Sequence, residues 1–131
     1  MNTIKVSEES RTNAQQYIDR VLSTTIDNPN NPDSLNFFQS DTYRFYFLMS
    51  FMWEYLEENE ISQEYAISLV PKKYASRIKR LQVLKQAVKL NYISETSSQV
   101  DKRRRIYKPT ESLLKDFFIY TDNVFMESKA V

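Results

Sequence analysis

Apolar positions recur at helical spacing near both ends of the chain. At the start, Ser7 can cap a helix whose apolar stripe runs from Ala14 to Leu22, because a serine hydroxyl accepts a bond from the first turn. At the end, Thr110 can cap a further helix whose stripe reaches Phe125. We therefore expect an amphipathic helix at each end of the chain.

A long and strongly apolar segment follows a polar break. Residues 27–33 contain two prolines among aspartates and asparagines, a composition typical of a loop. From near Ser40 to about Glu58, apolar and aromatic side chains occupy most sides of the predicted helix, so we expect it to be buried centrally or between subunits. The aromatic residues from Phe37 to Tyr55 also raise the hypothesis of a ligand pocket, although core or dimer packing is the favoured interpretation.

Two more helices are predicted in the middle of the chain. Ser62 can cap a short one at residues 63–69, and Pro71 suits the first turn of a longer one at about residues 72–90, since its missing N–H needs no partner there. Asn91 comes next, and asparagine tolerates the left-handed conformation that ends many helices. The inward-facing residues predicted for the longer helix are Ile78, Leu81, Leu84 and Val88.

The remaining pattern predicts a β-hairpin and, with it, a fold class. Residues 92–96 and 103–107 are predicted to be short strands around a polar tip. A short helix, a basic helix and a basic hairpin in this order are typical of a winged helix-turn-helix. We therefore expect a mainly α protein with a small β-hairpin, folded as one winged-helix domain over residues 1–131. Its predicted parts are N-terminal helices (1–58), the helix-turn-helix and wing (61–109) and a C-terminal helix (110–131).

The composition excludes several classes of enzyme. The 131 residues include no glycine, cysteine or histidine. Without glycine there is no dinucleotide-binding loop, P-loop or nucleophile elbow. Without histidine and cysteine there is no catalytic triad, thiolate nucleophile or ordinary zinc site. We therefore expect no enzymatic activity, no metal and no cofactor.

Charge is distributed unevenly along the chain. The net charge is only +1, but residues 65–110 hold twelve basic and two acidic residues, a net of +10. The rest of the chain holds six basic and fifteen acidic residues, a net of −9. A basic block within an acidic chain predicts an anionic partner, most commonly nucleic acid.

Other features indicate where the protein acts. The first ten residues hold no apolar run, unlike a secretory signal peptide. The longest apolar stretch, residues 45–56, is too short to span a bilayer. The lack of cysteine fits a reducing compartment. We expect a cytoplasmic protein with no membrane partner.

The hairpin region resembles a known family. Residues 101–110, Asp-Lys-Arg-Arg-Arg-Ile-Tyr-Lys-Pro-Thr, resemble the wing of MarR-type transcriptional regulators, in which Asp-x-Arg precedes an apolar strand and a helix-opening threonine. Residues 61–64 resemble the start of the family's first helix of the turn, and residues 84–93 resemble the end of its recognition helix and the entry to its wing. The SarA-like branch, with a similar Lys-Ala-Val-Lys helix, is the nearer likeness. Asn91 stands where the family usually has glycine, and Pro109 where it usually has leucine.

This resemblance implies a function and a set of partners. It implies a helical dimer with a two-stranded wing that binds near-palindromic double-stranded DNA. The terminal helices would form the homodimer interface, and the wing arginine would enter the minor groove. A small-molecule effector is left open, without support from any motif.

Ten residues are the candidate DNA contacts. Arg103 is the foremost, with Asp101 orienting it through a charge-assisted hydrogen bond. Arg104 and Arg105 are expected to alternate across a strand, so one of them shares a face with Arg103. The candidates are Lys72, Lys73, Ser76, Arg77 and Arg80 in the presumed recognition helix and Asp101, Lys102, Arg103, Arg104 and Arg105 in the wing.

The sequence therefore predicts a sequence-specific, DNA-binding transcriptional regulator. Its recognition helix would lie in the major groove and its basic wing at the minor groove. Two alternatives remain: a winged-helix module that binds other proteins, and a DNA-binding factor in replication or plasmid maintenance.

Overall fold

The computed structural model describes residues 4–126 and confirms a mainly helical fold with one small hairpin. The chain divides into two compact units. We call Pro32–Phe117 the central unit, and the residues up to Asn31 together with those from Phe118 onward the terminal unit. None of the described helices is long and apolar enough to cross a membrane.

The terminal unit contains α1, at Glu8–Val21, and a π-helical turn, at Leu22–Ile26. The predicted cap is confirmed, because the Ser7 hydroxyl accepts from the Ser10 N–H at 3.1 Å. No residue of α1 is buried. Its apolar stripe is therefore largely open to solvent in a single chain.

Hydrogen bonds join the N-terminal and C-terminal segments of the terminal unit. The Arg20 guanidinium donates to the main-chain oxygen of Val124 at 3.0 Å. The hydroxyls of Thr25 and Tyr120 lie 2.8 Å apart. Polar contacts thus join the N-terminal helical segment to the C-terminal part of the chain.

The central unit begins with α2, at Asp33–Gln39, and α3, at Thr42–Leu56. The hydrophobic pattern predicts α3 but not α2, because the seven residues of α2 hold too few apolar positions to show a period. The rings of Phe38, Phe47 and Phe51 are buried, with centroids 6.2 Å and then 5.4 Å apart. These three rings form part of the core, as the favoured interpretation predicts.

Next come α4, at Gln63–Ser68, and α5, at Arg77–Lys89. The Ser62 cap is confirmed, since its hydroxyl accepts from the Tyr65 N–H at 3.2 Å. The predicted start of α5 at residue 72 is wrong. Residues 72–74 form a turn, and the Ser76 hydroxyl caps α5 by accepting from the Lys79 N–H at 3.2 Å. The chain thus starts this helix at a serine cap and not at the proline.

The inward face of α5 also differs from the prediction. Ile78 is 69% exposed, so its predicted burial is wrong. The buried residues of the helix are Arg80, Val83, Leu84 and Ala87. A hydrophobicity count assigns an arginine to solvent, whereas here the arginine lies on the packed face.

The hairpin consists of β1, at Ile93–Ser97, and β2, at Arg105–Pro109, paired antiparallel from Ile93↔Pro109 to Ser97↔Arg105. Asn91 has φ 65°, which confirms the left-handed end of the preceding helix. The predicted second strand begins too early, because residues 102–104 form the turn.

A third segment joins this sheet. The Tyr107 N–H donates to the Ile61 oxygen at 2.9 Å, and Ser62 forms a bridge with Ile106. The residues just before α4 therefore pair with β2 and anchor the hairpin to the helix pair.

The last helix, α6, spans Glu111–Phe125. Its predicted cap is confirmed, since the Thr110 hydroxyl accepts from the Leu113 N–H at 3.3 Å. The helix begins in the central unit and ends in the terminal unit. Residues 127–131 of the predicted C-terminal helix lie outside the described residues.

Candidate nucleic-acid interface

A buried arginine fastens α5 to α4. Arg80 is only 8% exposed, and its guanidinium donates to the main-chain oxygens of Ile67 at 3.0 Å and Val70 at 3.2 Å. Its Nε donates to the Ser76 oxygen at 3.4 Å. A cation is favourable here because the carbonyls at a helix C-terminus carry partial negative charge.

The placement of Arg80 corrects a prediction. A surface position, in reach of DNA, is expected from the sequence, but the side chain points into the helix pair, where three carbonyl oxygens accept its N–H groups. Its role in the structure is to hold the two helices together.

Three other candidates lie before α5 and not in its first turns. Lys72 and Lys73 are exposed in the connecting turn, and Ser76 is the helix cap. The Lys73 ammonium lies 5.1 Å from the ring centre of Tyr74, whose ring lies 5.4 Å from that of Tyr46 on α3. The turn is thus packed against α3 while presenting two lysines to solvent.

Arg77, the first residue of α5, is held by an acidic residue of α4. Its guanidinium donates to both carboxylate oxygens of Glu64, at 3.0 Å and 2.7 Å. These hydrogen bonds lower the pKa of Glu64 and raise the pKa of Arg77. The pair is exposed, so Arg77 is oriented at the surface with its charge partly neutralised.

The Asp101 carboxylate contacts Arg103 in two ways. It accepts from the Arg103 N–H at 3.0 Å and lies 3.6 Å from the guanidinium Nε. The predicted association is present as an ion pair, while the direct hydrogen bond comes from the main chain. The Arg103 side chain is 94% exposed, and Lys102 beside it is also exposed. The hairpin tip therefore presents two cations to solvent.

The other two arginines near the hairpin tip contact other residues of the protein. The Arg104 guanidinium lies 3.4 Å from the Glu60 carboxylate, and the Arg105 guanidinium donates to the Ser97 hydroxyl at 3.2 Å. Arg104 precedes β2, so the predicted alternation of both arginines across one strand is wrong. Arg104 connects the hairpin to the segment before α4, and Arg105 connects the two strands.

A polar network that the sequence did not reveal connects the hairpin to α4 and α5. The Tyr107 hydroxyl donates to the Glu95 carboxylate at 2.6 Å and lies 3.3 Å from the Gln63 side-chain oxygen. The Lys85 ammonium of α5 lies 3.5 Å from the same carboxylate. The signal in the sequence is that Glu95 is one of only two acidic residues in the basic segment 65–110.

The network shifts the pKa of both of its central groups. Burial and the bond to Glu95 raise the pKa of Tyr107, so its hydroxyl remains protonated. The hydrogen bond from Tyr107, with the charge of Lys85, holds the pKa of Glu95 below its ordinary value. Glu95 is therefore a charged acceptor at neutral pH.

Several candidates also meet at one depression. A shallow cavity of about 520 Å³ lies between α4 and the start of α5. Its lining includes Lys72, Ser76, Arg77, Arg80 and Glu64. The structure thus brings together four of the five candidates from the presumed recognition helix, all except Lys73, while the other five candidates lie around the hairpin tip.

Comparison with known proteins adds no family assignment. No protein-family model matches the chain, and no curated protein matches it. The resemblance to MarR-type regulators stays a prediction, and the functional proposal depends on the geometry.

Proposed function

We propose that this protein is a sequence-specific, double-stranded-DNA-binding transcriptional regulator that acts in the cytoplasm. α5 would enter the major groove and the wing would contact the minor groove, as the resemblance to MarR-type regulators implies. The observation that carries the proposal is the helix pair fastened by Arg80 beside a hairpin anchored on Ile61. A recognition element must keep its orientation on the duplex, and these contacts supply that rigidity.

The distribution of exposed charge supports the same proposal. All twelve cations of residues 65–110 lie in the described part of the chain, and eleven are exposed, with Arg80 the exception. Lysine and arginine that neutralise phosphates release condensed counterions, which favours DNA binding. Both the α5 region and the wing contribute these cations.

We further propose that the protein is a homodimer through its terminal helices. Several apolar side chains of the terminal unit are exposed, namely Tyr17, Ile18, Leu22 and Phe125. An apolar helix face without a partner in its own chain is commonly covered by another subunit. A two-fold dimer would place its recognition helices in successive major grooves, about one helical turn apart.

Selection from a pool of random-sequence duplexes tests this function. The protein should enrich a near-palindromic sequence, and its affinity for that duplex should fall steeply with salt, with a logarithmic slope of about −0.9 for each phosphate neutralised. No enrichment, or an affinity that does not depend on salt, would overturn the proposal. It would favour the alternative of a protein-interaction module, whose basic surface meets an acidic protein.

Mapping of bound sites across the genome separates regulation from the other DNA-binding role. A transcriptional regulator should occupy sites near promoters. Occupancy confined to a replication origin or a plasmid maintenance locus would instead support the replication alternative.

A further inference from the structure

The outward face of α5 carries four exposed side chains in a single stripe. The buried residues Arg80, Val83, Leu84 and Ala87 define the opposite, packed face. Successive side chains of a helix are rotated by about 100°, so residues three or four positions apart share a face. The side chains on the face opposite the packed one therefore form a stripe with this spacing. These outward residues are Ile78, Gln82, Lys85 and Lys89, all of them exposed.

Two of the four have features that suit base recognition. The side chain of Gln82 forms no hydrogen bond with any residue among 4–126, so its amide is available to an external partner. Ile78, one turn earlier, leaves 69% of its surface in solvent. Gln86, on the same helix, differs because its side-chain oxygen accepts from Arg44 at 3.4 Å.

We propose that Gln82 and Ile78 are the residues of α5 that determine the DNA sequence recognised, and that they read an adenine and a thymine. This inference rests on the proposed function. A glutamine amide can accept from the adenine N6 amino group and donate to N7, a pairing that only adenine offers in the major groove. The methyl groups of Ile78 would pack against the C5-methyl group of a thymine.

The spacing of the two residues limits where these bases lie. Four residues of helix rise about 6 Å, and successive base pairs of a duplex are separated by about 3.4 Å. The adenine and the thymine should therefore lie within about two base-pair steps of each other in each half-site. Lys89, on the same stripe, suits a flanking phosphate, whereas the Lys85 ammonium lies beside the Glu95 carboxylate.

Parallel selections from one pool of random-sequence duplexes test the role of Gln82 in base recognition. Wild type, Gln82→Ala and Gln86→Ala should be compared, with Gln86→Ala as the control because that glutamine lies on the same helix but contacts Arg44. Wild type and the control should enrich the same sequence. Gln82→Ala should lose the preference for adenine at one position of each half-site, a loss of roughly 5- to 150-fold.

Base analogues in the selected duplex test the chemistry. Replacing that adenine by 7-deazaadenine removes the N7 acceptor and should lower the affinity of wild type for the duplex by roughly 2- to 12-fold, the value of one neutral hydrogen bond. The affinity of Gln82→Ala should not change. Replacing the thymine by deoxyuridine should lower the affinity of wild type for the duplex by about fourfold, the value of one methyl group. The affinity of Ile78→Ala should not change.

The possible outcomes separate this inference from the proposed function. If wild type enriches no duplex, DNA recognition itself is overturned. If wild type enriches a sequence and Gln82→Ala enriches the same one, or is equally sensitive to 7-deazaadenine, the role of Gln82 is overturned while DNA binding stands. Equal sensitivity of Ile78→Ala and wild type to deoxyuridine overturns the role of Ile78. Thermal unfolding should show that both variants fold, since both side chains are exposed.

Discussion

The guanidinium of Arg80 donates a hydrogen bond of 3.0 Å to the main-chain oxygen of Ile67 and so joins the start of α5 to the end of α4. The same side chain satisfies the oxygens of Val70 and Ser76. In this helix pair a buried cation takes the place that a hydrophobic residue commonly occupies. Its removal would leave several carbonyl oxygens without their donor.

Replacing Arg80 should therefore be costly for stability. We expect Arg80→Ala to lower the free energy of unfolding by about 3 kcal/mol, since hydrogen bonds to a buried charged group contribute about 1.5–3 kcal/mol each and are not additive. Urea denaturation measures this change. The control is Lys79→Ala at the neighbouring exposed position, where about 0.5 kcal/mol or less is expected. Equal effects of the two substitutions would show that Arg80 does not stabilise the helix pair.

Arg103 should affect DNA affinity without affecting the fold. Its side chain is 94% exposed at the wing tip and lies beside Asp101. We expect Arg103→Ala to weaken binding to the selected duplex by about 1–3 kcal/mol, measured by fluorescence anisotropy, with an unchanged unfolding midpoint. Lys115→Ala, which removes an exposed cation outside the basic segment, should bind as wild type does. An Arg103→Ala affinity equal to that of this control would remove Arg103 from the interface.

Glu64 should moderate the contribution of Arg77. Because the Glu64 carboxylate partly neutralises this arginine, Glu64→Gln should strengthen binding to DNA of any sequence and make the salt slope steeper by about one. Stability should change little, since the ion pair is exposed. Binding to a non-specific duplex at several salt concentrations measures this effect. Weaker binding of Glu64→Gln would mean that the carboxylate mainly orients Arg77 for its contact.

Glu95 should make the free energy of unfolding depend on pH in the acidic range. The hydrogen bond from Tyr107 lowers the pKa of Glu95 in the folded state, so its stabilising effect is present above the unfolded value of about 4.3. This stabilising effect is lost as the pH falls through the pKa of Glu95 in the folded state, which is lower than its pKa in the unfolded state. Wild type should thus be more stable than Glu95→Gln at neutral pH, and this difference should shrink on acidification. Unfolding midpoints of both proteins between about pH 6 and pH 3 span this range.

Tyr107→Phe provides the matched control for this pH effect. It removes the hydroxyl that donates to Glu95 but keeps the ring in the core. In this background, the pH-dependent part of the Glu95→Gln effect should be smaller. A pH dependence of the same size with and without the hydroxyl would show that another contact lowers the pKa of Glu95.

An acidic substitution in the terminal unit should prevent dimer formation. Ile18 is an exposed apolar residue of α1, and a carboxylate at that position would be costly to bury in an interface. We expect wild type to sediment as a dimer and Ile18→Glu as a monomer. Trp53→Gln, which removes an exposed apolar residue of α3, should remain dimeric. A monomeric wild type, or a dimeric Ile18→Glu, would contradict the proposed interface.

The sequence by itself determined the features that depend on neighbouring residues. Ser7, Ser62 and Thr110 cap their helices as predicted, and Asn91 takes the left-handed conformation. Each of these signals acts within about one turn, so it can be identified without knowing the rest of the fold. The start of α5 is predicted wrongly at residue 72, although Ser76 offers the same kind of local cap.

Only the tertiary structure decided which charged residues point inward and which remain exposed. Arg80 is buried because the carbonyls of Ile67 and Val70 lie within its reach. Arg104 forms an ion pair with Glu60, a residue far from it in the sequence. Hydrophobic periodicity treats all arginines alike, because it contains no information about distant acceptors. Whether a basic residue supports the fold or faces a partner depends on acceptors brought near by folding, and the outward position of Gln82 follows from the same packing.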